Sequence, residues 1–225
     1  MNILQDVAGL QALKEVGRNY LERFGYPDVF FSIASHQWMQ AFPADEPRAY
    51  AVIVLGAVIA AMSGATQVIT KSTHEAEGIP TKEANAQGVK ATRMAIQLIR
   101  SNLFPESREL LQEKKMIIRE ACSILDKALE MGDGDPVLAS LRSIQSGVLD
   151  IPWAPNQFVA GKVIPVRDAS GAVRYLDHAN LPFSPEVLEY NREKIRERER
   201  RDGKKADYEA AIFDVTEISK MLEGI

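Results

Sequence analysis

Apolar positions along the chain follow two rhythms. Val7, Leu10, Leu13, Val16, Tyr20 and Leu21 recur at helical spacing, so Leu4 to Phe24 reads as an amphipathic helix. Gly25 suits the position just past its end, and Tyr26-Pro27 stops it. Asp28 to Ser35, DVFFSIAS, is a continuous apolar run and reads as a buried strand. His36 to Pro43 is the loop after it. Glu46 to Ser63 is apolar nearly all round, which predicts a buried helix, and Gly64 ends it. Its apolar stretch, Tyr50 to Met62, is too short to span a bilayer. Gln67 to Thr70 holds the β-branched Val68-Ile69 and reads as a second strand. A polar turn, Lys71 to Glu75, follows. Pro80 marks the start of a helix that runs to Arg100.

The rest of the chain is mostly helical. Ser107 to Met131 carries an apolar stripe of Leu110, Leu111, Ile117, Ile118, Ile124 and Leu125. Gly132 to Pro136 breaks that helix. Val137 to Ser146 is another helix, and Gly147 to Gly161 is irregular. Lys162 to Leu176 reads as a β-hairpin around Ala169-Ser170-Gly171. Pro185 to Arg201 and Asp207 to Leu222 are the last two helices. Arginines in NREKIRERERR alternate with Glu189, Glu193, Glu197 and Glu199, the pattern of a solvated, salt-bridged face rather than a nucleic-acid contact.

In the first hundred residues helix, strand and loop alternate, which favours a parallel sheet with crossover helices. Two strands cannot close on themselves and would leave both edges bare, so this part is expected to pack on something else. The division is therefore a partial barrel unit over 1–105 and a helical region over 106–225, with the hairpin at about 162–176. A hydrophobic content of 46% is ordinary, and a net charge of −4 points to no nucleic-acid partner. One cysteine, Cys122, excludes an intramolecular disulfide framework and fits a reducing cytoplasm. The first residues show neither the basic nor the apolar segment of a signal peptide, and no membrane partner is expected.

Chemistry concentrates on one loop. Lys71, His74 and Glu75 sit between a strand and the following helix, where (β/α) barrels hold ligands. A lysine donates and a carboxylate accepts, so the pair suits vicinal hydroxyls; the alternative is a solvated turn. His36, His74 and His178 are scattered and match no metal-ligand spacing, and the glycines match no phosphate loop.

The loop belongs to a longer motif, K-S-T-H-E-A-x-G-I-P-T-K-E-A-N-A-x-G, from Lys71 to Gly88. It resembles the signature of the large (epsilon) subunit of glutamate mutase, also called methylaspartate mutase. Two further stretches agree: His36-Gln37-Trp38-Met39 with Phe42-Pro43, and Val148 to Pro152 followed by Gly161-Lys162, Pro165 to Asp168 and Val173 to Leu176. The resemblance covers nearly all of this chain but only the second half of the family's subunit.

That resemblance implies an α/β fold, the C-terminal part of a (β/α)8 barrel followed by the helical region with its hairpin. It implies a component of a radical, adenosylcobalamin-dependent mutase that interconverts L-glutamate and 3-methylaspartate. The cofactor would be held mainly by a cobalamin-binding small subunit. A further chain would carry the N-terminal half of the barrel, and with it the substrate-binding arginines. Carried over, the adenosyl-ribose contacts fall on Lys71 and Glu75, with His74 and Ile79 beside them. Ile79 is alternatively ordinary core. His36, Gln37 and Trp38 would line the barrel mouth, unless Trp38 is a core aromatic. The chain departs from the family pattern at Gln40 and Ala41, where two glycines are usual, and at Thr73 and Glu77; side chains at 40 and 41 would re-shape the pocket. A binding protein without turnover, and a mutase for another amino acid, are the alternatives.

Overall fold

The computed structural model describes residues 2–38, 41–100 and 106–223. Gln40, one of the two departures said to re-shape the pocket, lies outside the described residues, as does the predicted boundary at 105. The chain forms two compact units, one of residues 3–114 with the stretch from 215 onward, the other chiefly of residues 115–214. Its architecture is mixed, helices with two small sheets.

In the first unit the elements run α1 (Ile3–Arg23), β1 (Ala34–His36), α2 (Glu46–Ser63), β2 (Gln67–Ile69) and α3 (Lys82–Arg100). β1 and β2 pair in parallel, with Ala34 opposite Gln67, Ser35 opposite Val68 and His36 opposite Ile69. The strand expected over residues 28–35 is far shorter than its apolar run. Phe30 is 85% exposed, and the Phe31 ring instead occupies the space over Gly17 of α1. Pairing begins only at Ile33, whose N–H donates to Thr66 Oγ1 at 2.9 Å. Hydrophobicity there serves packing against a helix and an open surface, not a ladder.

α2 packs on both α1 and α3. Asp45 accepts from Arg48 N at its start, and Gly64 closes it in the left-handed region at φ 71°. The whole helix, longer than the apolar stretch Tyr50 to Met62, is by length and composition alone able to cross a membrane, and among the described residues it is the only such helix. Its surroundings are those of a core helix: Ala49, Ile53, Ala57 and Ala60 are at most 1% exposed.

α3 begins two residues later than Pro80 suggests. Thr81 is the cap, with its Oγ1 accepting from Ala84 N at 3.1 Å. Thr81→Ala is expected to lower stability by about 1 kcal/mol. For a chain of this size that lowers Tm by roughly 2–4 °C, read by circular dichroism on heating; an unmoved melt would mean that the cap contributes nothing.

The second unit takes α4 (Arg108–Met131) from Lys115 onward, then α5 (Pro136–Ser146), β3 (Ile164–Arg167), β4 (Val173–Asp177), α6 (Pro185–Asp202) and α7 (Tyr208–Glu223) up to Asp214. β3 and β4 form the expected antiparallel hairpin. Met116, Val163, Leu181, Phe183 and Val187 form its main core, and Val166, Ile195 and Ala211 a smaller one. Two buried carboxylates shape its loops. Asp168 accepts from Ser170 N, Ser170 Oγ and Ala172 N, and pairs with Arg174 Nε at 2.8 Å. Asp150 gathers the N–H groups of Ile151, Gly161, Lys162 and Val163, which closes the irregular stretch between them. Along α6, Glu189, Glu193 and Glu197 pair with Arg196, Arg200 and Lys194, as the charge pattern implied.

Candidate functional site

Backbone alternation divides the β1–β2 pair into two faces. Ile33, Ser35 and Gln37 are buried, on the side that meets α2 and α3. Ala34, His36, Gln67 and Ile69 are exposed on the other side. Parallel sheets normally have both faces covered, so the bare face and the two free edges stand out; among the described residues no other strand joins them.

The chain leaves the end of β2 at Thr70 and ties a small knot. Lys71 Nζ donates to Glu75 Oε2 at 2.9 Å. The other oxygen of Glu75 accepts from Ser72 N at 3.2 Å and from Ser72 Oγ at 3.5 Å. Ser72 Oγ in turn accepts from His74 N at 3.2 Å. Ser72 is fully buried and Thr73 nearly so, whereas the Lys71 and Glu75 side chains keep 18% and 24% of their surface exposed. Burial pushes the Glu75 carboxyl up, but hydrogen bonds from Lys71 and Ser72, with the charge of Lys71, outweigh it and hold the group below the usual carboxylate range. The result is a fixed anion beside a fixed ammonium, each with an open side.

Gln37, expected at the barrel mouth, is buried within this unit. Its side chain faces inward and is fully engaged: Nε2 donates to Ile53 O and to Thr92 Oγ1, both at 3.0 Å, and Oε1 accepts from Lys71 N at 2.9 Å. Trp38 is half-buried and donates from Nε1 to Ala41 O at 2.9 Å. His36 is exposed on the bare face, opposite Ile69. His74 is half-buried within the loop. Ile79 is 97% exposed, which removes the core alternative for this chain. It lies between Gly78, at a φ of 106° that favours glycine, and Pro80, whose ring fixes φ, so an apolar tip stands out from the loop.

So the structure brings Lys71, Ser72 and Glu75 into direct contact and ties Gln37 to them through the backbone. It shows no direct bond from His36, Trp38 or Ile79 to that group. Sequence reasoning missed Ser72, Thr92 and Gly88. The first hid as a generic loop serine. The last is the closing glycine of the motif: a Cβ there would lie 2.3 Å from Lys71 O, so only glycine lets α3 pass that close.

Comparison with known proteins agrees with this arrangement of motifs. The family model described as methylaspartate mutase E chain matches residues 1–224. A glutamate mutase epsilon subunit from Treponema denticola is 48% identical over 97% of this chain, and one from Desulfitobacterium hafniense 45% identical over 99%. One from Haloarcula marismortui is 37% identical over 97%. The chain spans less than half the length of these relatives, 45%, 46% and 44% respectively. With one family model covering nearly every residue and relatives 37–48% identical along almost the whole chain, the chain belongs to the methylaspartate mutase E-chain family.

Proposed function

We propose that this chain is a component of an adenosylcobalamin-dependent mutase that interconverts L-glutamate and 3-methylaspartate, working in the cytoplasm. The observation that carries the reading is the Lys71–Glu75 pair, partly open to solvent on the loop after a parallel strand. A ribose offers two neighbouring hydroxyls, and this pair offers one donor and one acceptor side by side. Exposed Ile79 on the same loop is free to meet the apolar face of an adenine. These residues fit the adenosyl group. Bound adenosylcobalamin supplies the radical chemistry of the rearrangement, and the chain's own part is to hold the nucleoside and keep water from it.

The bare face and free edges of β1–β2 support a place in a (β/α)8 barrel completed by another chain or chain segment, which the longer relatives make room for. In this reading that other part brings the arginines that grip the substrate carboxylates. A separate cobalamin-binding subunit brings the corrin.

The test is reconstitution. This chain, a companion covering the remainder of the relatives' length, the small subunit and adenosylcobalamin are mixed with glutamate. Lys71→Ala and Glu75→Gln are each expected to lower kcat/KM roughly ten- to a hundredfold, the loss of one hydrogen bond from a charged group. Glu197→Gln, in a half-buried ion pair within α6 and far in sequence from the loop, should change nothing. Wild-type turnover by both loop variants, with assembly unchanged, would reduce the loop to a turn.

A further inference from the structure

We propose that Gln37 is a positioning residue that sets the backbone of Lys71, and through it the Lys71–Glu75 pair, from inside the core. Strand register carries the case. With His36 opposite Ile69, Gln37 falls opposite Thr70, and Gln37 N donates to Ile69 O at 3.2 Å as a parallel ladder requires. The next ladder bond would run from Lys71 N to the main-chain carbonyl of Gln37. It runs instead to the side-chain Oε1 of Gln37, at 2.9 Å. The carboxamide replaces a backbone acceptor at the point where the chain turns out of the sheet, so it fixes where Lys71 leaves the strand.

The carboxamide is itself fixed. Nε2 is held by Ile53 O of α2 and by Thr92 Oγ1 of α3. Room for it comes from Gly56, where a Cβ would lie 2.9 Å from Gln37 Cγ. Gly88, one turn before Thr92 on α3, lets that helix press against Lys71 O. One 2%-exposed side chain therefore references the loop to two helices and a strand at once. An apolar residue of the same size would fill the hole without desolvating an amide, so packing alone does not account for glutamine there. The functional weight of this rests on reading Lys71 and Glu75 as cofactor contacts, but the geometry does not.

The test uses the whole chain with no cofactor and two readouts by NMR, hydrogen exchange at the Lys71 amide and titration of the Glu75 carboxyl. In Gln37→Met the Lys71 amide should exchange roughly three- to tenfold faster, the loss of one hydrogen bond. Glu75 should titrate closer to the usual carboxylate value as Lys71 drifts from it. Thr92→Val, which frees one end of the carboxamide, should shift both in the same direction by less, and Thr92→Ser should restore them. If Gln37→Met does not fold, the Thr92 pair decides. Wild-type exchange and titration in folded Gln37→Met, or in Thr92→Val where that pair decides, would overturn the proposal. So would a loosening at Lys71 no greater than at the Ala57 amide in α2, since a purely structural residue loosens the unit evenly. Because neither readout involves adenosylcobalamin, a failure here is separable from a failure of the reconstituted mutase.

Discussion

Arg174→Met is expected to remove about 3–5 kcal/mol of stability, the cost of breaking one side of a buried ion pair. The Arg174 and Asp168 side chains are 5% and 2% exposed, and the guanidinium also lies over the Tyr190 ring at 5.1 Å. Methionine refills much of the volume but leaves Asp168 charged among groups that cannot replace the lost partner. Burial pushes the Asp168 carboxyl up, yet Ser170 and Arg174 outweigh it and hold the group below its usual value. A depressed folded-state value means that the contribution is fully present above about pH 4 and is lost as pH falls through the lower, folded value. Urea unfolding at neutral pH and at about pH 3 checks both parts. The deficit should be large at neutral pH and shrink in acid. An equal midpoint for wild type and variant at neutral pH would show that the pair does not hold the hairpin.

The second large effect is at Gly88. In Gly88→Ala the new methyl would meet Lys71 O at 2.3 Å, and a backbone carbonyl, unlike a side-chain tip, cannot swing aside. Either α3 lifts or the loop moves. Overpacking of this kind destabilises by about 1–3 kcal/mol and occasionally more. Here the displaced group is also the one that carries Lys71, so the reconstituted enzyme should lose activity beyond what its melting temperature accounts for. Gly9→Ala is the control, since its Cβ would meet nothing within 4 Å. If Gly88→Ala melts and turns over like Gly9→Ala, α3 is not pressed against the loop as described.

How far the sequence could be read depended on whether each residue's role was local. The limits of α2 were legible because Glu46, Pro47 and Gly64 act within one turn of themselves. The β3–β4 hairpin was legible for the same reason: Ala169-Ser170-Gly171 can only turn. Residues 28–33 misled because hydrophobicity says that a segment is covered, not by what. The start of α3 misled because Pro80 precedes the cap that Thr81 supplies. In the site, Lys71 and Glu75 stood out as a pair four residues apart. The inward turn of Gln37 did not, because a polar residue is buried only when partners exist, and its partners lie 16, 34 and 55 residues away.

The apolar character of α2 bears on how the chain is made. By length and composition alone this helix could cross a membrane, so it is the element that most needs its neighbours to cover it. During synthesis α1 precedes it, so a first cover exists as α2 leaves the ribosome, whereas α3 follows a loop and a strand later. Within this unit, α1 is the neighbour of α2 already made in that interval, and α3 is the one still to come. The polar loop of Lys71 to Glu75 is translated within the same interval, before the helix that packs Gly88 against Lys71 O.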